Sequence, residues 1–419
     1  MNHSCETSHA SNRWGTPIRS AQGTRTSECF TVAQMKISVV GGSLGGLTAA
    51  GLLRDSGHDV SVYERSATLL QQRGAGIGLL PPAFRYLQTR AGIDVKSISV
   101  STSRIRYLDR EGDVVYDKPH NYLFSSWKTV YTSTLEHFGM TDYHLDSEMT
   151  AFSQTKESVS LSLKNGLTIE SDLLVAADGI GSFARRTLIP SSHSEYSGYV
   201  AWRGVVPETR IAPETMDRLA DAITYFVYPN SHILVYMIPN GDGRVTPGDR
   251  LINFVWYRNY AAGSELHTLM TDRNGLLRDF SIPPGFVGDS SISLMKEMAL
   301  RDLPEMLSDV VVETVEPFVQ AIYDIDIDQT VFGRVCLLGD AAIVARPHAA
   351  AGTAKAAADG WALAEALGDH PSLTDALDAW QESCLSRAKK LLDRTRRVGA
   401  RSQFLNAWDP RDADLLFGI

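Results

Sequence analysis

Cysteine is scarce in this chain: four residues among 419, namely Cys5, Cys29, Cys336 and Cys384. Their wide, irregular spacing excludes a disulfide scaffold and offers no cysteine-based metal motif, so no metal site is expected. It suits a reducing compartment, which makes the cytoplasm the expected location. No apolar run approaches the roughly 20 residues that cross a bilayer, so no membrane span is expected. Cationic runs are missing too. With 40 Lys and Arg against 49 Asp and Glu, the formal net charge is -9, and a nucleic-acid partner would have to bind against the chain's own field. The leader is short of acids: over 1–34 only Glu6 and Glu28 are acidic, Ser, Thr, Gly and Arg abound, and no hydrophobic periodicity runs through it. Residues 1–34 are therefore expected to form a disordered extension, either a targeting segment or the product of a start upstream of Met35.

What the chain does hold is apolar residue, 43% of the total, enough for two or three compact domains. An apolar strand, Ile37-Ser38-Val39-Val40, opens into Gly41-Gly42-Ser43-Leu44-Gly45-Gly46 and a helix-like run over 47–54. Gly41, Ser43 and Gly46 stand at the G-x-G-x-x-G positions, with serine replacing the central glycine. Such a loop lets a pyrophosphate rest on a helix N-terminus without side-chain obstruction. A second strand, Val60-Ser61-Val62-Tyr63, ends in Glu64 and Arg65. An acid placed about 20 residues beyond the loop takes the ribose hydroxyls of an adenosine. Strand, loop, helix, strand and acid in that order predict a dinucleotide site.

A second cradle lies late in the chain. The apolar run Val335-Cys336-Leu337-Leu338 ends in Gly339-Asp340, a loop of small residues around Pro347 follows, and an alanine-rich helix begins near Gly352. Asp340 can accept hydrogen bonds from a sugar-like chain, while the small residues let backbone N–H groups approach an electron-rich ring at the helix N-terminus. A reduced, anionic flavin fits those requirements. Between the two cradles stands Asp172-Leu173-Leu174-Val175-Ala176-Ala177-Asp178-Gly179-Ile180-Gly181-Ser182-Phe183-Ala184-Arg185.

These three segments in this order resemble the class A FAD-dependent aromatic monooxygenases, the para-hydroxybenzoate hydroxylase superfamily, over nearly everything from Met35 onward. Within it the chain is most similar to the dihydroxypyridine 3-monooxygenase branch, through Gly-Gly-Ser in the first loop, Tyr63-Glu64-Arg65-Ser66 and Arg346-Pro347-His348-Ala349-Ala350-Ala351-Gly352. Ile343 stands where most members carry histidine, Ala350 replaces the first glycine of the later pair, and no arginine occurs over 131–138, where many members have one. The resemblance implies that Gly41, Ser43, Leu44, Gly46, Glu64 and Arg65 hold the ADP half of FAD. Asp178 and Arg185 would touch FAD and the nicotinamide donor, Asp340 the ribityl chain, and Pro347, Ala351 and Gly352 the flavin ring. It further implies NADH or NADPH as a transient donor, O2 as co-substrate, a flavin C4a-hydroperoxide as oxidant and a small aromatic or hydroxypyridine substrate, and it leaves room for a homodimer. The rival readings are a flavin-dependent epoxidase or oxidase of a non-aromatic metabolite, and a non-catalytic FAD-binding protein.

The expected fold class is α/β. A Rossmann-like FAD-binding domain with a parallel sheet, discontinuous over 35–195 and 331–370, would carry the cofactor. An antiparallel-sheet substrate domain is expected over 196–330, from aromatic and β-branched runs separated by turns, with Pro229-Asn230 joining two of them as a hairpin. Residues 371–419 read as a C-terminal helical region. For catalysis, a base near neutral pKa beside the flavin would make a ring hydroxyl more nucleophilic, and His348, next to Pro347, is the first candidate. A loop histidine capping backbone groups is the alternative. His232 and Tyr236, at i and i+4 of a strand, share one face and can look into one cavity, with Tyr225 across the hairpin. Strand aromatics that merely pack would look the same. Arg203 could hold a phosphate or carboxylate, or pair with a buried acid, and stays outside the catalytic set.

Overall fold

The computed structural model describes residues 33–72 and 74–419. The leader read as a disordered extension over 1–34 lies outside them apart from its last two residues, as do Cys5 and Cys29. Cys336 and Cys384 are buried free thiols.

Lys36–Val40, Asp59–Tyr63 and Leu173–Ala176 are short, apolar and largely buried, as strands covered on both faces must be. They pair in parallel, and Val335–Leu337 and Tyr143–His144 extend the sheet at either side, so the expected Rossmann-like layer is present. A final short strand, Val331–Phe332, turns back antiparallel on its edge. Helix Leu44–Asp55 makes the first crossover and shares one hydrophobic core with the alanine-rich helix Gly352–Asp369. An antiparallel meander, Met149–Gln154, Val159–Leu163 and Thr168–Ser171, precedes the return strand Leu173–Ala176.

The second layer is a nine-stranded sheet whose centre runs Phe318–Asp324, Glu195–Pro207, Leu251–Asn259, Ser231–Ile238 and Ala222–Tyr228. The turn at Pro229-Asn230 does join two of these strands, with Asn230 in the left-handed region at φ 62°. The sheet reaches further back along the chain than 196–330. Val100–Leu108 pairs in parallel with Ala222–Tyr228, and Val114–Ser126 and Gly76–Gly78 follow it to the edge. The segment Val100–Leu108 is half polar and only partly buried, so its hydrophobic signal in the sequence is weak.

The two faces of this sheet differ in kind. Trp202 and Trp256, directly opposite each other in the ladder, are fully buried in one core with side chains from helices Asp289–Asp302 and Glu305–Val312. Burying side chains of this size stabilises the fold by about 1.5–3 kcal/mol each. The other face carries Tyr199, Tyr225, Tyr236 and Tyr257 and turns toward the parallel-sheet layer. Helix Leu373–Ala400 packs across the first layer and runs into a π-helical turn, Arg401–Leu405. Asn406, left-handed at φ 50°, then sends the chain back. The returning tail is tied down by Arg397 to Asp414, Arg401 to Asp412, and the backbone bond from Gly418 to Ala349.

Candidate active site

The first loop is built by contact that only glycine permits. Gly41 has φ 103°, and a Cβ there would lie 2.2 Å from the Ala177 carbonyl oxygen. At Gly46 a Cβ would lie 1.9 Å from the Gly41 oxygen. Ser43 caps helix Leu44–Asp55 by position, but its side chain makes no capping bond, so the first-turn N–H groups remain open to an anion. Leu44 is buried behind them. Glu64, also buried, accepts from the Gly42 N–H at 2.8 Å and the Ser66 N–H at 2.9 Å, one per carboxylate oxygen. Each oxygen keeps a lone pair for a ribose hydroxyl. Arg65 is exposed beside it.

Asp178 accepts from the N–H groups of Phe183 (2.7 Å) and Ala184 (3.2 Å) through one oxygen, and its other, buried oxygen has no partner among the described residues. Arg185 is placed differently from the cofactor contact expected of it. Its buried guanidinium donates to the carbonyls of Asp340 (3.2 Å), Ala341 (2.8 Å) and Ile180, which clamps the Gly339-Asp340 turn to the 178–185 segment from behind. Lys355 holds the same turn from the helix side, donating to the Gly339 carbonyl at 2.9 Å and to Asp359 at 3.1 Å. Asp340 presents open area, yet that area lines a cavity closed in by protein. Desolvation therefore raises its carboxyl pKa, Asp359 adds to the rise and Lys355 opposes it.

That cavity, of about 360 Å3, joins the cofactor cradle to the aromatic face of the large sheet. Asp340, Pro347, Ala351 and Gly352 line one end, and His348, His232, Tyr236 and Tyr225 the other. Ala350 holds a left-handed conformation, φ 50°, which turns the chain into helix Gly352–Asp369. That helix too begins without a side-chain cap, and a Cβ on Gly352 would meet nothing within 4 Å.

At the aromatic end, the Tyr199 hydroxyl and His348 Nε2 share a hydrogen bond at 2.7 Å, while the buried His348 Nδ1 has no partner among the described residues. His232 Nδ1 lies 2.5 Å from the Ser402 hydroxyl. Burial lowers both imidazoles: His232 is pushed down to about 3, and His348 falls well below 6.5, helped by His232 and Arg346. Both rings are neutral near pH 7, so neither titrates there as the sequence led us to expect; the sequence does not reveal how deeply they are enclosed. Tyr236 stacks on Phe124 at 4.0 Å, and burial pushes its hydroxyl up to about 12 against the opposing Arg203 charge. Tyr225 stacks on Tyr107 at 4.9 Å.

Several cavity residues escaped the sequence reading. Tyr257 stands opposite His232 in the ladder, with its ring 4.5 Å from His232 and 4.6 Å from His348. The strand was legible, but the register that brings these rings together was not. Trp408, 4.7 Å from His232, and Phe417 come from the tail, which has no periodic signal. Arg203 meets no acid among the described residues: it donates to the Gly76 carbonyl at 2.7 Å and lines the cavity.

Two uncapped helix N-termini, an acid beside each and an unpartnered Asp178 oxygen between them fit an extended dinucleotide whose ring end reaches the cavity. Comparison with known proteins agrees. A model described as NAD(P)-binding Rossmann-like domain matches residues 39–69, and one described as FAD binding domain-like matches 196–324. The chain is 34% identical over 385 residues to 2,6-dihydroxypyridine 3-monooxygenase of Paenarthrobacter nicotinovorans, covering 92% of this chain and 96% of that protein. The chain belongs to the class A FAD-dependent aromatic monooxygenases. The solved 2,6-dihydroxypyridine-3-hydroxylase from Arthrobacter nicotinovorans superposes with a TM-score of 0.88 at 34% identity, covering 93% of this chain and 98% of that one. A further relative, 6-hydroxynicotinate 3-monooxygenase of Pseudomonas fluorescens, is 26% identical over 79% of this chain and 82% of its own length. Like other members of this monooxygenase family, the enzyme uses FAD, NAD(P)H and dioxygen. Among the described residues no helix is long and apolar enough to cross a membrane, and no cluster of metal-ligating side chains occurs.

The open space at Gly352 gives this monooxygenase a selective test. Gly352→Val should be tolerated by the protein without FAD, since a Cβ there meets nothing within 4 Å, but should project into the cavity at the cofactor end. FAD retention after gel filtration should fall at least tenfold, while Gly288→Val, also in open space, should retain FAD like the parent. Equal retention in both would place the flavin elsewhere.

Proposed function

We propose that the enzyme hydroxylates a dihydroxypyridine-type ring, with phenols as the neighbouring class. The observation that carries this reading is the continuous cavity, whose cofactor end is marked by Asp340, Pro347 and Gly352 and whose other end gathers His232, Tyr236 and His348 among aromatic walls. The relatives named for hydroxypyridine and hydroxynicotinate oxidation support it.

Glu64 and the Gly41, Ser43, Leu44, Gly46 loop hold the adenosine and pyrophosphate, with Arg65 at the rim. Asp178 serves the middle of the cofactor, Arg185 acts by holding the Asp340 turn, and Asp340 takes the ribityl hydroxyls. Pro347, Ala351 and Gly352 bring small side chains and helix N–H groups to the ring. FAD, when bound, would supply the redox chemistry, with NAD(P)H as the electron source and dioxygen as the source of the oxygen atom.

The rest falls to the cavity. Tyr225, Tyr257 and Trp408 enclose a flat ring and exclude water, which strengthens every polar contact made inside. His348, His232 and Tyr236 hydrogen-bond the ring oxygens. Held neutral by burial, the imidazoles stabilise by donation the oxyanion of a ring that binds already ionised, its proton having been left in solvent. An oxyanion so held raises the electron density of the adjacent ring carbon, the position that receives oxygen.

The test is NAD(P)H oxidation by the FAD-loaded enzyme against a panel of hydroxypyridines and phenols, with product mass measured. Substrate-stimulated oxidation with gain of one oxygen atom by a hydroxypyridine is the expected result. Oxygen gain only on a non-aromatic olefin would favour an epoxidase, and no stimulated oxidation with any ring would count against a hydroxylase of this class.

A further inference from the structure

The π-helical turn at Arg401–Leu405 carries two polar side chains into the protein interior. Ser402 is 1% exposed and Gln403 fully buried. Gln403 Nε2 lies 2.6 Å from Ser402 Oγ and 3.3 Å from His232 Nδ1, and Ser402 Oγ lies 2.5 Å from the same Nδ1. A π-turn inserts one extra residue into a helix at a cost in regular hydrogen bonding, and such turns gather at functional sites. Here it delivers two consecutive buried polar groups to one imidazole nitrogen. The turn is itself anchored, because Asn259 Nδ2 donates to the Gln403 carbonyl at 2.8 Å.

The direction of these bonds decides the protonation of His232. A primary amide nitrogen only donates, so Ser402 Oγ and His232 Nδ1 both accept from Gln403, and Nδ1 is the acceptor left among the described residues for the Ser402 hydrogen. Reversing the amide would leave an NH2 group with two buried, unpartnered donors, whereas the present orientation leaves one carbonyl oxygen unpartnered, the less costly defect. Nδ1 is then an acceptor, and the single proton of a neutral imidazole sits on Nε2.

We propose that Ser402 and Gln403 are positioning residues that lock His232 as its Nε2–H tautomer, so that His232 meets the substrate as a hydrogen-bond donor and selects a carbonyl or ring-oxyanion oxygen. The selection rests on the ring-hydroxylating reading above; the tautomer does not. Beside His232, His348 Nε2 shares a hydrogen bond with the Tyr199 hydroxyl at 2.7 Å, and Arg346, paired with Asp324 at 2.8 Å, stands against the Tyr199 ring. A donor at His232 Nε2 suits a substrate presenting acceptors, as the oxo and anionic forms of a hydroxypyridine do.

The decisive measurement is the nitrogen NMR spectrum of FAD-loaded enzyme labelled with 15N-histidine, the His232 signals being assigned by their loss in His232→Gln. Nε2 should carry the proton and Nδ1 none in the parent. Ser402→Ala should produce a tautomer mixture and raise KM for the ring substrate roughly tenfold, the effect of one lost hydrogen bond, with a smaller change in kcat. Ser402→Thr, which keeps the hydroxyl, should restore both. Gln403→Glu should move the proton to Nδ1. A parent spectrum with Nδ1 protonated would overturn the proposal, as would a Ser402→Ala variant with parent spectrum and KM. The spectrum needs no turnover, so a failed substrate screen leaves the tautomer result standing while removing the KM arm.

Discussion

His348→Ala should keep its FAD and lose hydroxylation by about two to three orders of magnitude, the usual cost of removing one donor from a developing oxyanion. The expectation rests on the placement of His348: buried, lining the cavity next to Pro347, with Nε2 committed to Tyr199 and Nδ1 without a partner among the described residues. The proposed cofactor contacts lie on other residues, so flavin content should match the parent. Reduction by NAD(P)H should continue, but with the ring oxygen poorly held more of the activated oxygen should escape as hydrogen peroxide. Product formed per NAD(P)H consumed separates the effects. A variant as fast and as well coupled as the parent would move the essential contact to His232 and Tyr236.

Gly46→Ala reverses an ordinary rule. Alanine in place of a helical glycine normally stabilises by roughly 0.5–1 kcal/mol. At Gly46 the added carbon would fall 1.9 Å from the Gly41 carbonyl oxygen, against backbone that cannot swing aside as a side chain could. Overpacking of this kind costs about 1–3 kcal/mol or more, and here the strain falls on the loop proposed to hold the pyrophosphate. The variant should melt lower and be purified without flavin. Gly368→Ala, in another helix with nothing within 4 Å of the new carbon, should keep FAD and melt at or above the parent temperature. A yellow, parent-like Gly46→Ala protein would mean that the loop is looser than described.

The parts of this molecule that could be read from the sequence are those whose physics is local. Lys36–Val40 and Leu173–Ala176 announce themselves because strands buried on both faces must be apolar throughout. The hairpin at Pro229-Asn230 follows from turn chemistry, and the shared face of His232 and Tyr236 follows from the two-residue period of a strand. What stayed hidden depends on distant pairing. Nothing near Tyr257 says that it will sit opposite His232, and nothing near Arg185 says that its guanidinium will be spent on backbone carbonyls. The depressed pKa values of the histidines belong to this class, since burial is a property of the assembled cavity. Ser402 and Gln403 read as the end of a helix, and the π-turn that aims them inward has no local signature.

The walls of the cavity include Gly76 and Phe417, near opposite ends of the described chain, together with strands, loops and a tail from between them. Chain entropy therefore opposes assembly of the cavity until long loops have closed, and contacts of such high sequence separation form late in folding. The parallel layer and the helices can gain most of their structure from nearer neighbours. No contiguous fragment of the chain contains the cavity, and any species that has collapsed without docking its tail presents the aromatic face of the large sheet to solvent. That face, with Tyr225 and Tyr257 uncovered because the tail's Trp408 has not docked on them, is the surface through which an incompletely folded molecule would aggregate.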